Sequence, residues 1–180
     1  AALLKEKGAE VEFVSFAQFE AAQSAWFIMM CAESCNNLSR YDGVKFGHRA
    51  DRYKDIDELY TNSRTEGFGL LSKAVVLYGS DVLSKNRYFS AYDKALKVRR
   101  ALRSSLDELF AKYDIILAPA TSKTEYSSAD LKVVYEEAYF TSLSMMMGLP
   151  TVAVKGVQLI GNSFEENKLF SAAKAIEEVE

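Results

Sequence analysis

The stretch from Ser90 to Pro119 constrains the fold of this chain most. Leu102, Leu106, Leu109, Phe110 and Tyr113 recur at helical spacing, while Asp93, Lys97, Arg99 and Arg103 fall mostly off that stripe. The pattern predicts an amphipathic helix over Ser90 to Lys112. Tyr113-Asp114 then leads into Ile115-Ile116-Leu117-Ala118-Pro119, an apolar run typical of a strand covered on both faces and terminated by proline. A one-sided helix feeding a two-sided strand requires helices packed on a sheet, so the chain reads as α/β.

Other segments extend that reading. The chain starts with what look like the last turns of a helix ending at Gly8, without a capping residue, as though cut from something longer. Val11 to Phe16 is β-branched and aromatic and predicts a short strand. Phe19, Ala22, Ala25, Trp26, Met29 and Met30 predict a core-facing helix over Ala17 to Met30, and the turn residues between Ser34 and Gly47 predict an ordered loop. Asp55 opens an acidic first turn suited to a helix running to about Thr65. Leu70 to Ser84 is apolar enough to predict a helix buried on most sides. Residues 121 to 130 read as a Ser/Thr-rich loop, and Val133 to Met147 is helical in composition until Gly148-Leu149-Pro150 stops it. Two strands follow, Thr151 to Val154 and Val157 to Ile160. Asn162 or Ser163 with Glu166 gives a capping signal for a closing helix marked by Leu169, Ala172, Ala173 and Ile176.

Composition narrows the functional classes. With 49% hydrophobic and 26% charged residues the chain has the balance of a globular protein, and a net charge of -3 gives no global field to recruit nucleic acid or anionic membrane. The longest apolar run, Ala25 to Ala32, is far shorter than the roughly 20 residues of a membrane helix. Cys31 and Cys35 cannot build a disulfide framework, so a reducing, cytoplasmic setting is expected. With His48 they would make only three zinc ligands, so no metal site is expected and both cysteines read as small core residues.

Other motifs are equally plain. Gly67-Phe68-Gly69 lacks the strand context and third glycine of a nucleotide-binding loop and reads as a joint between helices. Lys94, Lys97, Arg99, Arg100 and Arg103 share their helix with Asp93, Asp107 and Glu108, which makes a paired, solvated face the simpler reading than an RNA contact. His48 reads as a hydrogen-bonding loop residue. No Gly-x-Ser-x-Gly elbow or His-Glu-x-x-His pair is present.

One block is far more specific. Ala32-Glu33-Ser34-Cys35-Asn36-Asn37-Leu38-Ser39-Arg40-Tyr41-Asp42-Gly43-Val44-Lys45-Phe46-Gly47-His48-Arg49 resembles the A-E-A-S-S-N-L-x-R-Y-D-G-V-R-Y-G-H-R block of the amidase signature family, in the form found in the A subunits of glutamyl-tRNA(Gln) amidotransferases. Glu58-Leu59-Tyr60 and Ser63-Arg64-Thr65-Glu66-Gly67-Phe68-Gly69 resemble that group's E-L-Y and S-R-S-E-G-F-G. Lys97-Val98-Arg99, Tyr113 to Pro119, Gly148-Leu149-Pro150 and Gly156-Val157-Gln158-Leu159-Ile160-Gly161 follow in the family's order.

The resemblance implies that residues 1–180 are the C-terminal portion of an amidase domain, part of a mixed β-sheet sandwich with helices on both faces. It implies a parent enzyme that hydrolyses glutamine with two serines and a lysine and passes ammonia on for amidation of Glu-tRNA(Gln). Those catalytic residues belong to an N-terminal Gly/Ser-rich segment that has no counterpart in this chain, so no catalytic residue is expected in it. No cofactor is implied. Expected partners are the remaining amidotransferase subunits and the N-terminal portion, with tRNA engaged only indirectly and no membrane contact.

Trp26, Val75, Ala138 and Thr141 would form part of the substrate-pocket wall, although plain core packing also accounts for Trp26. Glu33, Asn37, Arg40, Tyr41 and Asp42 would form a buried polar network supporting the loop beside the site. Two departures stand out. Val75 occupies the position of the family's glutamine-carboxylate arginine, and Ala138 that of the aspartate binding the glutamine amino group, unless Glu136 or Glu137 takes over the latter role. The loss of both charges disfavours free glutamine as a substrate. Two alternatives remain: a degenerate scaffold or partner-binding module, and a general amidase for uncharged amides. The link Val154-Lys155-Gly156 is also shorter than the family's usual hairpin.

Overall fold

The computed structural model describes residues 1–16, 19–121 and 131–178. Helices α1 (Ala2–Glu6), α2 (Phe19–Leu38), α3 (Ile56–Gly67), α4 (Leu70–Val82) and α5 (Tyr92–Phe110) precede strand β1 (Ile115–Pro119). Then come α6 (Leu131–Glu137), α7 (Ser142–Met147), β2 (Thr151–Val154), β3 (Val157–Gly161) and α8 (Glu166–Glu177).

The three strands form one antiparallel sheet in the order β1-β3-β2. Register pairs Ile116 with Ile160 and Leu117 with Leu159, while Val152 meets Leu159 from the other side. Alternation of side chains then divides the sheet into two faces. Ile116 and Ile160 pack into a core with Leu102 and Leu106 of α5, Leu143 and Met146 of α7, and Ala22 and Ala25 of α2. Ile115, Leu117, Val152, Val154 and Leu159 meet Leu169 and Ala173 of α8. Helices therefore cover both faces, as expected, with α8 on one side and α2, α5 and α7 on the other.

β2 and β3 join through Lys155 and Gly156, which have φ of 46° and 78° and follow directly on the Val154–Val157 pair. Positive φ at both central positions is the turn geometry whose twist matches that of the flanking strands.

Five expectations change. Val11 to Phe16 pairs with no strand among the described residues, and Phe13 is 91% exposed. β-branched composition makes a strand only where a neighbouring ladder exists. Helix α2 runs on to Leu38 because Cys31 and Ala32 prolong its buried face, so Asn36 and Asn37 sit in its last turn instead of a loop. α4 is not buried on most sides: Leu70 and Leu77, one face of the helix, are 77% and 72% exposed. The segment from Val133 to Met147 is two helices, interrupted at 138–141. α8 starts after Glu165 without a side-chain cap, and Asn162 Oδ1 instead accepts the N–H of Ser163. The Ser/Thr-rich loop falls at 122–130, outside the described residues.

Other expectations hold locally. Asp55 caps α3 by accepting the N–H of Glu58 at 2.9 Å. Gly67 and Gly69 lie at the joint between α3 and α4. Gly148 ends α7 with φ of 64°, a left-handed cap that glycine adopts without strain.

Candidate functional site: a helix-built wall and its bracing loop

α2 organises the side chains expected at the pocket. The Phe27 ring meets Tyr78 of α4 at a tilt, with centroids 5.4 Å apart, and Tyr135 of α6 edge to face at 5.2 Å. Gln23 Nε2 donates to the Tyr135 carbonyl at 2.6 Å, and Ser24 Oγ lies 3.0 Å from the Tyr135 hydroxyl. These contacts join α4 and α6 to α2. Val75 lies one turn before Tyr78, on the same face of α4, and is half-buried. Ala138 follows the end of α6 and is buried, while Thr141 precedes α7. Trp26 packs against the main core beside Phe27.

The four residues thus lie in α2, in α4 and in the break between α6 and α7. None brings a charge. Glu136 pairs with Lys132 at 3.7 Å, and Glu137 Oε2 accepts from Thr121 Oγ1 at 3.2 Å. A shallow depression lined by Asp114, Asn167, Lys168 and Ser171 lies beside α8 and includes none of Trp26, Val75, Ala138 or Thr141.

Beyond α2 the chain turns through residues 39–50 and is bound to α3. Arg64 Nη2 donates to the Ser39 carbonyl at 2.8 Å, and its Nε to that of Tyr41 at 3.4 Å. Asp42 Oδ1 accepts the N–H groups of Val44 and Lys45 at 2.8 and 3.1 Å. Gly43, with φ of 79°, lies so close to α3 that a Cβ there would collide with Ser63 Oγ. Ser63 is buried and its Oγ accepts the Ala50 N–H at 3.0 Å. His48 Nε2 and Glu66 Oε2 are 2.5 Å apart.

This bracing differs from the network expected in the loop. Glu33, Asn37, Arg40 and Tyr41 are exposed and Asp42 is half-buried. Glu33 accepts from the Tyr92 hydroxyl at 3.3 Å, and burial, followed by that carboxylate, raises the tyrosine above its usual range. The residues that clamp the loop are Arg64, Ser63 and Asp42. Arg64→Ala is therefore expected to cost about 0.5–1.5 kcal/mol, since two side-chain to carbonyl bonds are lost. Arg40→Ala should stay within about 0.5 kcal/mol, as exposed side chains generally do. Chemical denaturation of both variants compares them directly, and an equal loss at Arg40 would contradict this assignment.

Asp42 also carries a pH signature. The two backbone N–H groups, and then the Arg64 guanidinium, hold its carboxyl below the usual carboxylate range. A depressed folded-state value means that the stabilisation is complete at neutral pH and disappears as pH falls through that value. Asp42→Asn should narrow the stability gap to wild type on acidification, with denaturation midpoints across pH as the measurement.

The remaining candidates have structural partners. Cys31 is fully buried, and burial pushes its thiol up to about 11, so it is protonated at neutral pH. Cys35 Sγ lies 3.2 Å from Ser80 Oγ. No group of three or more potential metal ligands occurs among the described residues. On α5, Lys97 pairs with Asp93 and Arg103 with Asp107, and Arg99 Nε donates to the Met146 carbonyl at 3.0 Å. That face is largely committed within the fold. Among the described residues no helix is long and apolar enough to cross a membrane.

Two residues here escape a reading by pattern. Gly79 admits the close passage of α2 past α4, and Gln158 is buried in the middle of β3. Only Gln158 has a sequence signal, as a polar residue in an apolar strand.

A helix-covered antiparallel sheet with this braced loop defines the class. The chain belongs to the amidase family, whose sequence model, described as Amidase, matches residues 1–170. It is 38% identical over 189 residues to the A subunit of the glutamyl-tRNA(Gln) amidotransferase of Agathobacter rectalis, with 97% of this chain and 37% of the relative covered. The corresponding protein of Neisseria meningitidis serogroup A, which carries the same name, is 39% identical over 188 residues, with 97% and 39% covered. Among solved structures, the A subunit of the glutamyl-tRNA(Gln) amidotransferase of Thermotoga maritima matches with a TM-score of 0.65 at 27% identity, covering 99% of this chain and 36% of that one. A structure described as an amidase shares the fold at a TM-score of 0.64 and 18% identity. The chain thus spans 37% and 39% of the two curated relatives.

Proposed function

We propose that this chain is the C-terminal portion of an amidase similar to the A subunit of glutamyl-tRNA(Gln) amidotransferase, supplying a pocket wall and its scaffold while the nucleophile lies elsewhere in the protein. The observation that carries this reading is the match to such subunits over 97% of the chain but only 37% of the relative's length. In the parent enzyme an activated serine would attack the amide carbon, fixed N–H donors would hold the oxyanion, and ammonia would leave. On this reading the protein works in the cytoplasm with the other amidotransferase subunits, meets tRNA only through them, and needs no cofactor. Trp26, Val75, Ala138 and Thr141 face the acyl part of the substrate. Arg40, Tyr41 and Asp42 belong to the loop that supports it, and Glu33 and Asn37 to the end of α2 that leads into that loop.

A specific observation favours a second reading of the substrate. Val75 and Ala138 are uncharged, and Glu136 and Glu137 already have partners. A glutamine zwitterion gives up charge-assisted contacts each worth about 1.5–3 kcal/mol at such a wall, whereas an uncharged aliphatic amide gives up none. Steady-state ammonia release by the full-length protein tests both readings. The aliphatic amide should be preferred over glutamine by about tenfold or more in kcat/KM, the factor that about 1.4 kcal/mol supplies. Robust glutamine turnover would return the protein to the glutaminase reading. No turnover of either amide would favour a non-catalytic scaffold that binds partners.

A further inference from the structure

Gln158 sits in the middle strand of the sheet, between Val157 and Leu159, and is 1% exposed. Its Nε2 donates to two carbonyls, Pro119 O at 2.8 Å and Phe140 O at 2.6 Å. Two acceptors at one end of the amide fix which atom is nitrogen. Oε1 has no donor among the described residues, so the amino end alone orients the side chain.

Those two carbonyls belong to different parts of the fold. Pro119 ends β1, and Phe140 lies in the break between α6 and α7. The other carbonyls of that break are satisfied locally. Ala138 O accepts the Ser142 N–H at 2.8 Å, Tyr139 O accepts Ser142 Oγ at 3.1 Å, and Thr141 O accepts the Met145 N–H and Ser144 Oγ, both at 3.1 Å. The bond to Phe140 O reaches it from across the core. Both carbonyls are partly shielded from water and take their bond from the buried Gln158 amide, so Gln158 ties the break to the end of β1.

We infer that Gln158 is a positioning residue, a clasp that fixes the α6–α7 break, and with it Ala138 and Thr141, against the end of β1. Its consequence for substrate rests on the proposed pocket wall. Gln158 itself need not touch the substrate.

The test uses the full-length protein and Gln158→Met, which keeps the length of the side chain but removes its donors. Amide hydrogen exchange at 142–147 should accelerate by about tenfold while exchange in β1 stays close to wild type. KM for the preferred amide should rise by about tenfold with kcat within about threefold, the pattern of a displaced wall and an intact nucleophile. Unchanged exchange at 142–147 overturns the clasp, and faster exchange with unchanged KM overturns its role toward substrate. If the wild-type protein turns over no amide, the proposed function and the substrate role fail together, and exchange alone decides the clasp. If Gln158→Met does not fold, the wild-type side-chain amide protons of Gln158 decide it. Exchange about a hundredfold slower than in a free carboxamide supports the clasp, and free-amide exchange overturns it.

Discussion

Leu159→Ala is expected to destabilise the protein by about 2–5 kcal/mol, the range for truncating a fully buried leucine in a core that collapses only in part. Leu159 has no exposed surface, sits in the central strand, and is flanked across the ladder by Leu117 and Val152. Leu169 and Ala173 close over it from α8. Neighbouring strands hold its backbone on both sides, so the cavity cannot be filled by a shift of β3 alone. At about 2–4 °C per kcal/mol for a chain of this size, the thermal midpoint should fall by about 4–20 °C. Phe170→Ala, one residue along α8 from Leu169 and 61% exposed, is the control and should change stability by about 0.5 kcal/mol or less. Calorimetry of the two variants gives the comparison, and similar midpoints would show that the sheet and α8 do not share a packed core.

Gly79→Ala is expected to destabilise as well, although helix propensity alone predicts the opposite sign. Alanine inside a helix is favoured over glycine by about 1 kcal/mol. At Gly79, however, a Cβ would overlap the Cys31 carbonyl oxygen and stand 2.6 Å from the Cys35 Cβ. Both obstacles are rigid: one is helix backbone, and the other is the first atom of a side chain. α2 and α4 would have to move apart, loosening the Phe27–Tyr78 contact between them. Overpacking of this kind costs about 1–3 kcal/mol, enough to outweigh the propensity gain. Urea denaturation decides the sign, and a stabilised Gly79→Ala variant would contradict the close helix approach.

Much of this architecture is legible in the chain itself. The stripe on α5, the run of β1, the two closing strands and the Asp55 cap each depend on spacing or local chemistry, and all four lie where those signals place them. The errors occur where distant parts of the chain decide the outcome. Val11 to Phe16 has strand composition but no ladder among the described residues, and α4 has a core-like sequence yet leaves Leu70 and Leu77 exposed. The end of α2 is concealed because asparagines serve equally well in a last helical turn and in a loop.

The candidate site is legible to a different degree. The motif from Ala32 to Arg49 points to the family, but it does not reveal that Arg64 and Ser63, from the following helix, hold the loop. Those contacts join residues 13 to 25 positions apart and leave no periodic trace. Gln158 pairs with carbonyls 39 and 18 residues away, so only its polarity within an apolar strand marks it.

The central claim is that these 180 residues supply a wall and scaffold while the nucleophile lies outside them. A serine-directed fluorophosphonate probe, reacted with the full-length protein and mapped by peptide mass spectrometry, tests this most directly. A competing amide substrate should protect the labelled site. The account predicts a protected adduct on a serine outside residues 1–180, whereas a protected adduct on any serine of this chain would contradict it.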